Sequence, residues 1–316
     1  MAVVIVTVTP NAALDRTLIV PSFQVGHRHR ASSASTSAGG KGINVARALK
    51  RLGIPVVCTG LAGGRAGVQI VERLTGEGLL NDLVRIQDES RTSTAVIDPT
   101  STVSTEINEW GPELDESEVA MLREKLVYLS QGADSVVFCG SLPRGVEDGL
   151  YADLIRSVAR LSVPTVLDAD GEPLRLGVQA GPTVVSPNVN EAEQLVGHEF
   201  AGSADIAAGL DEVAAFGPKN VLITVPDGCY ALLREDREEL RLRARVSPID
   251  AVSTIGAGDA LLAGYLAARV LGKAAGDSLR QGVATGAASV LEAGAGRFDT
   301  KEIARIAADV TIEEWA

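Results

Sequence analysis

Two kinds of apolar pattern alternate along almost the whole chain, and this alternation constrains the fold more than any other feature. Val3–Thr9 is a continuous β-branched run that ends at Pro10, as a buried strand does. Asn44–Leu52 has apolar residues at helical spacing, and Gly53 then ends the pattern. Repeated strand–helix alternation predicts a mostly parallel sheet with helices on both faces, an α/β fold.

The same alternation continues toward the C-terminus. Further strands are predicted at Val56–Thr59, Ser135–Cys139, Thr165–Ala169, Thr183–Val185 and Asn220–Val225. Further helices are predicted at Val68–Leu79, Gly149–Leu161, Ala204–Phe216, Gly258–Leu271, Gly276–Leu291 and Lys301–Asp309. A chain of 316 residues could form two domains or one large α/β domain. Because no linker separates two halves, we expect one domain with an appendage.

Two segments interrupt the alternation and are the expected appendage. Arg16–Ser37 and Thr92–Trp110 are of mixed polarity and lack a helical period. In a doubly wound fold they are insertions, and β-rich insertions beside the carboxyl ends of sheet strands are candidate lids. An ordinary surface hairpin is the alternative.

The charge balance excludes extended polyanions as partners. There are 29 Lys and Arg against 41 Asp and Glu, which gives a net charge of −12. Nucleic-acid binders and polybasic membrane anchors both need clustered positive charge. Aromatic residues make up 3% of the chain, which argues against base-stacking platforms. We therefore expect no nucleic-acid or membrane partner, and any anionic ligand must be bound by a few local groups.

The cysteines and the N-terminus indicate a cytoplasmic location. Cys58, Cys139 and Cys229 are dispersed in apolar surroundings and have no CxxC spacing, which is typical of reduced core residues. The first ten residues lack a basic region and a cleavage site, and no apolar stretch reaches about 18 residues without a charge.

The segment from Ser253 to Asp259 carries the strongest chemical signal. Gly256 and Gly258 permit a tight turn and leave backbone N–H groups bare at the start of a long apolar helix, which makes an anion site. A carboxylate beside such amides can accept a hydroxyl proton while the amides stabilise a transferring phosphoryl group. An acidic residue in a first helical turn is also a common helix-start device, which is the plainer interpretation of Asp259.

A second glycine-rich loop, residues 38–42, has the sequence Ala-Gly-Gly-Lys-Gly and opens the helix that contains Asn44. It is not a Walker A loop, because Gly42 follows the lysine where Ser or Thr is required. No GxGxxG follows a strand, which disfavours a dinucleotide dehydrogenase. Three glycines, a cation and an amide at a helix start suit a polyhydroxy or phosphorylated ligand, although a flexible turn would have the same composition.

Other polar segments also follow predicted strands. Asp15 lies after the first strand, the segment Gly140–Gly145 ends another strand, and Pro187–Glu191 ends a third. Alone, each is an ordinary turn, and Asp15 could merely pair with Arg16. Together they lie at carboxyl ends of strands, where doubly wound sheets bind ligands.

These segments, TPNAALDR, GGKGINVARAL, GSLPRG, SPNVNEAE and DAVSTIGAGD, occur in the order and spacing of the ribokinase-like (PfkB) carbohydrate kinases. The chain most resembles the hexose-phosphate branch, which includes 1-phosphofructokinases, tagatose-6-phosphate kinases and minor 6-phosphofructokinases. The resemblance runs from Val3 to about Gly296. It implies a ribokinase-like three-layer αβα fold with a small β-rich lid. The implied activity is transfer of the γ-phosphoryl group of MgATP to a hydroxyl of fructose 1-phosphate, fructose 6-phosphate or tagatose 6-phosphate.

The resemblance also implies roles for individual residues. Asp259 is implied as the catalytic base, with Gly256, Ala257 and Gly258 as the anion hole. The implied substrate-binding residues are Asp15, Gly39, Gly40, Lys41, Asn44, Arg91, Ser141 and the lid residues Arg28 and Arg30. The implied nucleotide-binding residues are Asn188, Glu191, Thr224, Gly228 and Thr254. Glu191 is also expected to hold Mg²⁺ through water.

Some features depart from the pattern of the branch or leave alternatives open. Ser186 stands where many hexose-phosphate kinases have lysine, and the run after Arg91 differs from that of 1-phosphofructokinases. A kinase of an unphosphorylated sugar or a nucleoside, and a non-catalytic sensor that binds a sugar phosphate or a nucleotide, are the rival hypotheses. The family also raises a monovalent-cation site near Asp250 and the 294–296 loop, which spacing does not support. Apolar lid residues Ile107 and Trp110 suggest a homodimer formed through the lid.

Overall fold

The computed structural model describes residues 3–101, 103–235, 238–292 and 294–315, so Thr102 of the second predicted insertion lies outside the described residues. The strands are β1 (Ile5–Thr9), β2 (Ala13–Ile19), β3 (Ser33–Gly39), β4 (Val56–Gly63), β5 (Leu80–Asn81), β6 (Val84–Ile86), β7 (Arg91–Asp98), β8 (Val103–Asn108), β9 (Ser135–Cys139), β10 (Thr165–Asp168), β11 (Val184–Val185), β12 (Asn220–Val225), β13 (Gly228–Glu235), β14 (Glu238–Arg245) and β15 (Thr311–Glu314). The helices are α1 (Lys41–Arg51), α2 (Gly64–Gly76), α3 (Glu116–Ser130), α4 (Leu150–Ala159), α5 (Gly171–Val178), α6 (Val189–Val196), α7 (Ser203–Ala215), α8 (Ala257–Val270), α9 (Ala275–Ser289) and α10 (Thr300–Asp309).

One large sheet forms the centre of the molecule. Its order is β15-β14-β13-β12-β11-β10-β9-β1-β4-β5, and β6 pairs with β4. The pairs from β5 through β1 to β12 are parallel, whereas β12 to β15 pair antiparallel. The predicted mostly parallel sheet is therefore confirmed.

Buried residues of the sheet alternate between two apolar cores, one on each face. Ile5 packs into a core with α1, α2, α8, α9 and α10, while Val6 and Val8 pack into the core under α3 to α7. In β9, Val137 belongs to the first core and Val136 to the second. Since both faces are covered, these strands are apolar at nearly every position, which is why they appear in the sequence as continuous runs.

The two predicted insertions form a separate four-stranded sheet. Its order is β3-β2-β7-β8, with β2 and β7 parallel and the two outer pairs antiparallel. The first insertion is not extended throughout, because 20–32 form turns and irregular backbone between β2 and β3. We call this sheet the lid sheet; its movement as a lid stays a prediction.

The sequence patterns miss several elements. Helices α3, α5 and α6 and the antiparallel strands β13 to β15 were not predicted. Two of these helices begin with a capping box, in which the Asp115 side chain accepts from the N–H of Glu118 and the Asn188 side chain from that of Glu191. No helix in the described part of the chain is long and apolar enough to span a membrane.

Candidate functional site

A cleft of about 1000 Å³ lies between the carboxyl ends of the central strands and the lid sheet. It brings together most of the residues that the sequence singled out, although these come from distant parts of the chain. The predicted residues that line it are Asp15, Gly40, Lys41, Asn44, Arg91, Ser141, Asn188, Glu191, Thr224, Thr254, Gly256, Ala257, Gly258 and Asp259.

Four predicted residues do not line this cleft. Arg28 and Arg30 are exposed in the irregular connection between β2 and β3, so any contact with a substrate stays a prediction. Gly39 lies against the carboxylate of Asp15, where a Cβ atom would come within 1.9 Å of Oδ2, so a larger residue would displace the Asp15 side chain. Gly228 lines a neighbouring cavity of about 380 Å³.

Asp259 lies in the first turn of α8 and is buried. Gly256 caps this helix with φ of 79°, a left-handed conformation that favours glycine, and its backbone packs against Ala295. The Asn44 side chain donates from Nδ2 to Oδ2 of Asp259 at 2.9 Å. Burial and the charge of Asp168 raise the pKa of Asp259, and Asn44 is among the groups that oppose the rise. Asp259 is therefore a carboxylate with an unusually high proton affinity at the floor of the cleft.

The amides at the start of α8 are less bare than the glycines suggest. The N–H of Ala257 donates to the carbonyl of Thr254 at 3.2 Å and closes the turn. The N–H groups of the next two residues, Gly258 and Asp259, belong to the first helical turn, where no carbonyl of the helix is in reach. These two amides and the helix dipole are what the turn can offer an anion.

Lys41 joins two carboxylates across the cleft. Its Nζ lies 2.8 Å from Oδ1 of Asp168 and 3.2 Å from Oε1 of Glu191. Burial alone would lower the pKa of Lys41, but the charges of Asp168 and Glu191 outweigh burial and raise it. Lys41 is therefore a permanent cation in the middle of the site.

Asn188 and Glu191 cap α6 as well as facing the cleft. The N–H of Glu191 donates to Oδ1 of Asn188 at 2.9 Å, and the N–H of Asn188 donates to Oε2 of Glu191 at 2.9 Å. Burial raises the pKa of Glu191, while the charge of Lys41 opposes the rise. The capping box fixes the carboxylate, and its Oε1 is the atom that faces Lys41.

Asp15 and Arg91 line the cleft from two neighbouring strands of the lid sheet, β2 and β7. Burial raises the pKa of Asp15 to about 6, against the charges of Arg91 and Arg47. Burial lowers the pKa of Arg91, and the charge of Asp15 opposes this decrease. Arg91 donates from Nε to the carbonyl of Asn11 at 3.1 Å. The Asp15 carboxylate can therefore accept hydrogen bonds from a ligand, and the Arg91 guanidinium beside it can bind an anionic group.

Sequence patterns missed several polar residues of the site. Asp168 is the last residue of β10 and pairs with Lys41; the run Asp168-Ala169-Asp170 at the end of a strand was the available signal. Arg297 lines the cleft from the loop that packs on Gly256. Asn11 is buried, and its Nδ2 donates to the carbonyl of Trp110 at 3.0 Å and to Oγ of Ser141 at 3.2 Å. It therefore connects the Ser141 loop to the segment that follows the lid sheet. The monovalent-cation site near Asp250 stays a prediction, and Ala293 beside the 294–296 loop lies outside the described residues.

Comparison with known proteins gives consistent relatives over the whole length. The family model described as pfkB family carbohydrate kinase matches residues 8–302. A 1-phosphofructokinase of Borreliella burgdorferi is 30% identical over 311 residues, covering 98% of each chain. A tagatose-6-phosphate kinase of Staphylococcus epidermidis is 26% identical over 314 residues, covering 98% of this chain and 99% of the relative. The structure of phosphofructokinase-2 from Escherichia coli in complex with fructose-6-phosphate has a TM-score of 0.88 at 27% identity, covering 98% of this chain and 99% of that one. The predicted ribokinase-like fold is confirmed.

Proposed function

Since this chain belongs to the pfkB family of carbohydrate kinases, we propose that it transfers the γ-phosphoryl group of ATP to a hydroxyl group of a hexose phosphate. One observation carries the proposal: Asp259 is buried at a glycine-capped helix N-terminus, in one cleft with Arg91. Asp259 is suited to proton transfer beside a phosphoryl group, and the guanidinium of Arg91 is suited to binding a phosphate.

The proposed reaction is a direct in-line transfer. Asp259 accepts the proton of the attacking hydroxyl as the oxygen–phosphorus bond forms and ADP leaves. The amides of Gly258 and Asp259 stabilise charge on the transferring group. The lid sheet covers the sugar end, which excludes water that would compete as the acceptor.

The nucleotide is proposed to lie across α6 and α8. The adjoining cavity of about 380 Å³ is lined mainly by apolar residues, among them Val225, Val246 and Leu261, and suits the adenine ring. Thr224 and Gly228 line the same cavity, as expected of nucleotide-binding residues. Its position beside Ala257 and Gly258 directs the phosphates toward the start of α8.

Two carboxylates of the cleft are suited to bind a divalent cation together with the phosphates of ATP. No group of three or more His, Cys, Asp or Glu in the described ranges could hold a metal by itself. Asp168 and Glu191 present two carboxylates, and Mg²⁺ is commonly bound by one or two carboxylates, waters and substrate phosphates. These two residues would hold Mg²⁺, which would neutralise charge on the phosphates.

A substitution at Arg91 tests whether the substrate already carries a phosphate group. Replacing Arg91 by Ala should raise KM for the hexose phosphate about 10- to 100-fold, since a charged hydrogen-bonded contact contributes about 1.5–3 kcal/mol. The KM for MgATP should change little. Steady-state kinetics of Arg91→Ala beside the surface variant Arg123→Ala measures this effect. An unchanged KM in Arg91→Ala would favour the rival, a kinase of an unphosphorylated sugar or a nucleoside.

The substrate itself is open to direct assay. ADP production is measured with fructose 1-phosphate, fructose 6-phosphate and tagatose 6-phosphate, with the free sugars and with nucleosides. We expect turnover with at least one hexose phosphate and weak turnover with the others. ATP consumption with none of them would favour a non-catalytic sensor that binds a sugar phosphate or a nucleotide.

We further propose that two chains pair through the lid sheet. Ile107 is 63% exposed and Trp110 is 85% exposed, which leaves apolar area on or beside the lid sheet. Sedimentation should show a dimer, and Ile107→Asp should weaken it about tenfold or more, given about 1.5–3 kcal/mol for a buried side chain of this size. Leu80→Asp, at an exposed position of the central sheet, is the control. A monomeric wild-type protein would contradict the pairing.

A further inference from the structure

Arg47 uses every N–H group of its guanidinium inside the protein. It lies on α1 and is 7% exposed. Nε donates to Oε2 of Glu77 at 2.7 Å, and Nη2 donates to Oε1 of Glu77 at 3.2 Å and to the carbonyl of Ala38 at 2.8 Å. Nη1 donates to Oδ1 of Asn44 at 3.1 Å and to the carbonyl of Ala295 at 3.2 Å. These five acceptors match the five donors of an arginine side chain.

Arg47 and Asp259 bond opposite ends of the Asn44 amide and together fix its orientation. A guanidinium has donors and no acceptor, so the amide atom beside Arg47 must be the oxygen. The NH₂ end of Asn44 then points the other way and donates to Oδ2 of Asp259 at 2.9 Å. Without Arg47, the amide oxygen would lose this donor, and the side chain would be held less firmly beside the carboxylate.

The same guanidinium holds the loop behind the glycine turn of α8. Ala295 accepts from Arg47 and packs directly against Gly256, where a Cβ atom would come within 2.6 Å of its methyl group. Gly296 packs equally closely on α1, where a Cβ atom would lie 2.8 Å from the carbonyl of Asn44. Arg47 therefore supports both the carboxylate and the helix N-terminus that the transferring group would meet.

We infer that Arg47 is a positioning residue for phosphoryl transfer: it holds the Asn44 amide and the 294–296 loop so that Asp259 and the start of α8 keep one arrangement. This inference rests on the proposed function. Arg47 lines the main cleft, with its donors already bonded inside the protein, but it does not line the small apolar cavity proposed for adenine. Its loss should therefore slow the transfer step without weakening nucleotide binding.

A double-mutant cycle tests the inference with the hexose phosphate that the wild type turns over. In Arg47→Lys we expect kcat to fall about 10- to 100-fold, because small misplacements of reacting groups cost up to about 100-fold. The KM for MgATP should stay within about twofold. If Arg47 acts through Asn44, adding Arg47→Lys to Asn44→Ala should lower kcat by no more than about threefold further.

Two controls separate positioning from folding. Arg51→Met removes a bond from the same helix to the carbonyl of Phe298 and should keep kcat within about twofold. Glu77→Gln weakens the anchoring of Arg47 but leaves its bond to Asn44, so kcat should stay within about threefold even if the melting temperature falls. Wild-type kcat in Arg47→Lys, or equal losses in Glu77→Gln, would each overturn the positioning role. Additive losses in the cycle would overturn its action through Asn44. A wild type inactive toward every hexose phosphate would overturn the proposed function as well, so the two failures are distinguishable.

Discussion

Replacing Asp259 by Asn is expected to lower kcat about 10²- to 10⁴-fold, the usual contribution of a positioned proton acceptor. The amide has nearly the same size as the carboxylate, so α8 and its glycine turn should keep their structure. An amide cannot accept the proton of the attacking hydroxyl. The KM for MgATP should change little, because the apolar cavity proposed for adenine is unaltered.

The chain contains a matched control for this substitution. Helices α8 and α9 both begin with the sequence Ala-Gly-Asp, in which the aspartates are Asp259 and Asp277. Asp277 is exposed and pairs with Arg280, whereas Asp259 is buried in the cleft. If Asp259 were only a helix-start residue, Asp259→Asn and Asp277→Asn would have similar effects. We expect Asp277→Asn to keep kcat within about twofold.

The pH dependence of kcat provides a second measurement on Asp259→Asn. Burial and the charge of Asp168 raise the pKa of Asp259 above its ordinary value of 3.8. The base works as the carboxylate, so wild-type kcat should fall as the pH drops through the raised pKa, well above the range of an exposed aspartate. The low residual rate of Asp259→Asn should lack this decrease. Turnover near the wild-type rate in Asp259→Asn would contradict the assignment.

The sequence predicts those parts of the structure that depend on local chemistry. The central strands are buried on both faces and therefore show as apolar runs, as at Ser135–Cys139, which the structure reproduces without shift. Gly256 and Gly258 were predicted to permit a tight turn, and Gly256 adopts a left-handed conformation there. Helix α3 was missed, because its apolar residues do not fall on one clear stripe, although its capping box was present in the sequence.

The pairings inside the site could not be predicted in the same way, because they join distant segments. Lys41 and Asp168 are 127 residues apart, and nothing in either segment indicates that one ammonium group neutralises two carboxylates. In the sequence, Arg47 occupies a polar position of a predicted helix and would be expected at the surface. In the structure it is buried, and it donates hydrogen bonds to acceptors in three other segments. Arg28 and Arg30 were implied by a resemblance alone; they do not line the cleft of this chain, and their contact with a substrate stays a prediction.

Replacing Lys41 by Met should lower kcat/KM for MgATP about 10²- to 10³-fold, similar to the loss of one preorganised electrostatic group at an active site. Lys41 is the cation between Asp168 and Glu191, whose side chains are 7% and 13% exposed. Without it, Mg²⁺ alone would balance the charge of the two carboxylates and of the proposed nucleotide phosphates. The Lys41 side chain is itself 34% exposed, so water would solvate part of the altered site and the melting temperature should fall only modestly.

The direction of the accompanying pH change follows from the same charges. Lys41 lowers the pKa of Asp259, so its removal should raise that pKa further and leave less carboxylate near neutral pH. Part of the lost activity should therefore return as the pH is raised. Lys50→Met is the control, because Lys50 is on the same helix and its ammonium group bonds only the carbonyl of Glu77 among the described residues, away from the cleft. If Lys41→Met kept kcat/KM within about threefold of Lys50→Met, the bridging ammonium would have no part in nucleotide binding or transfer.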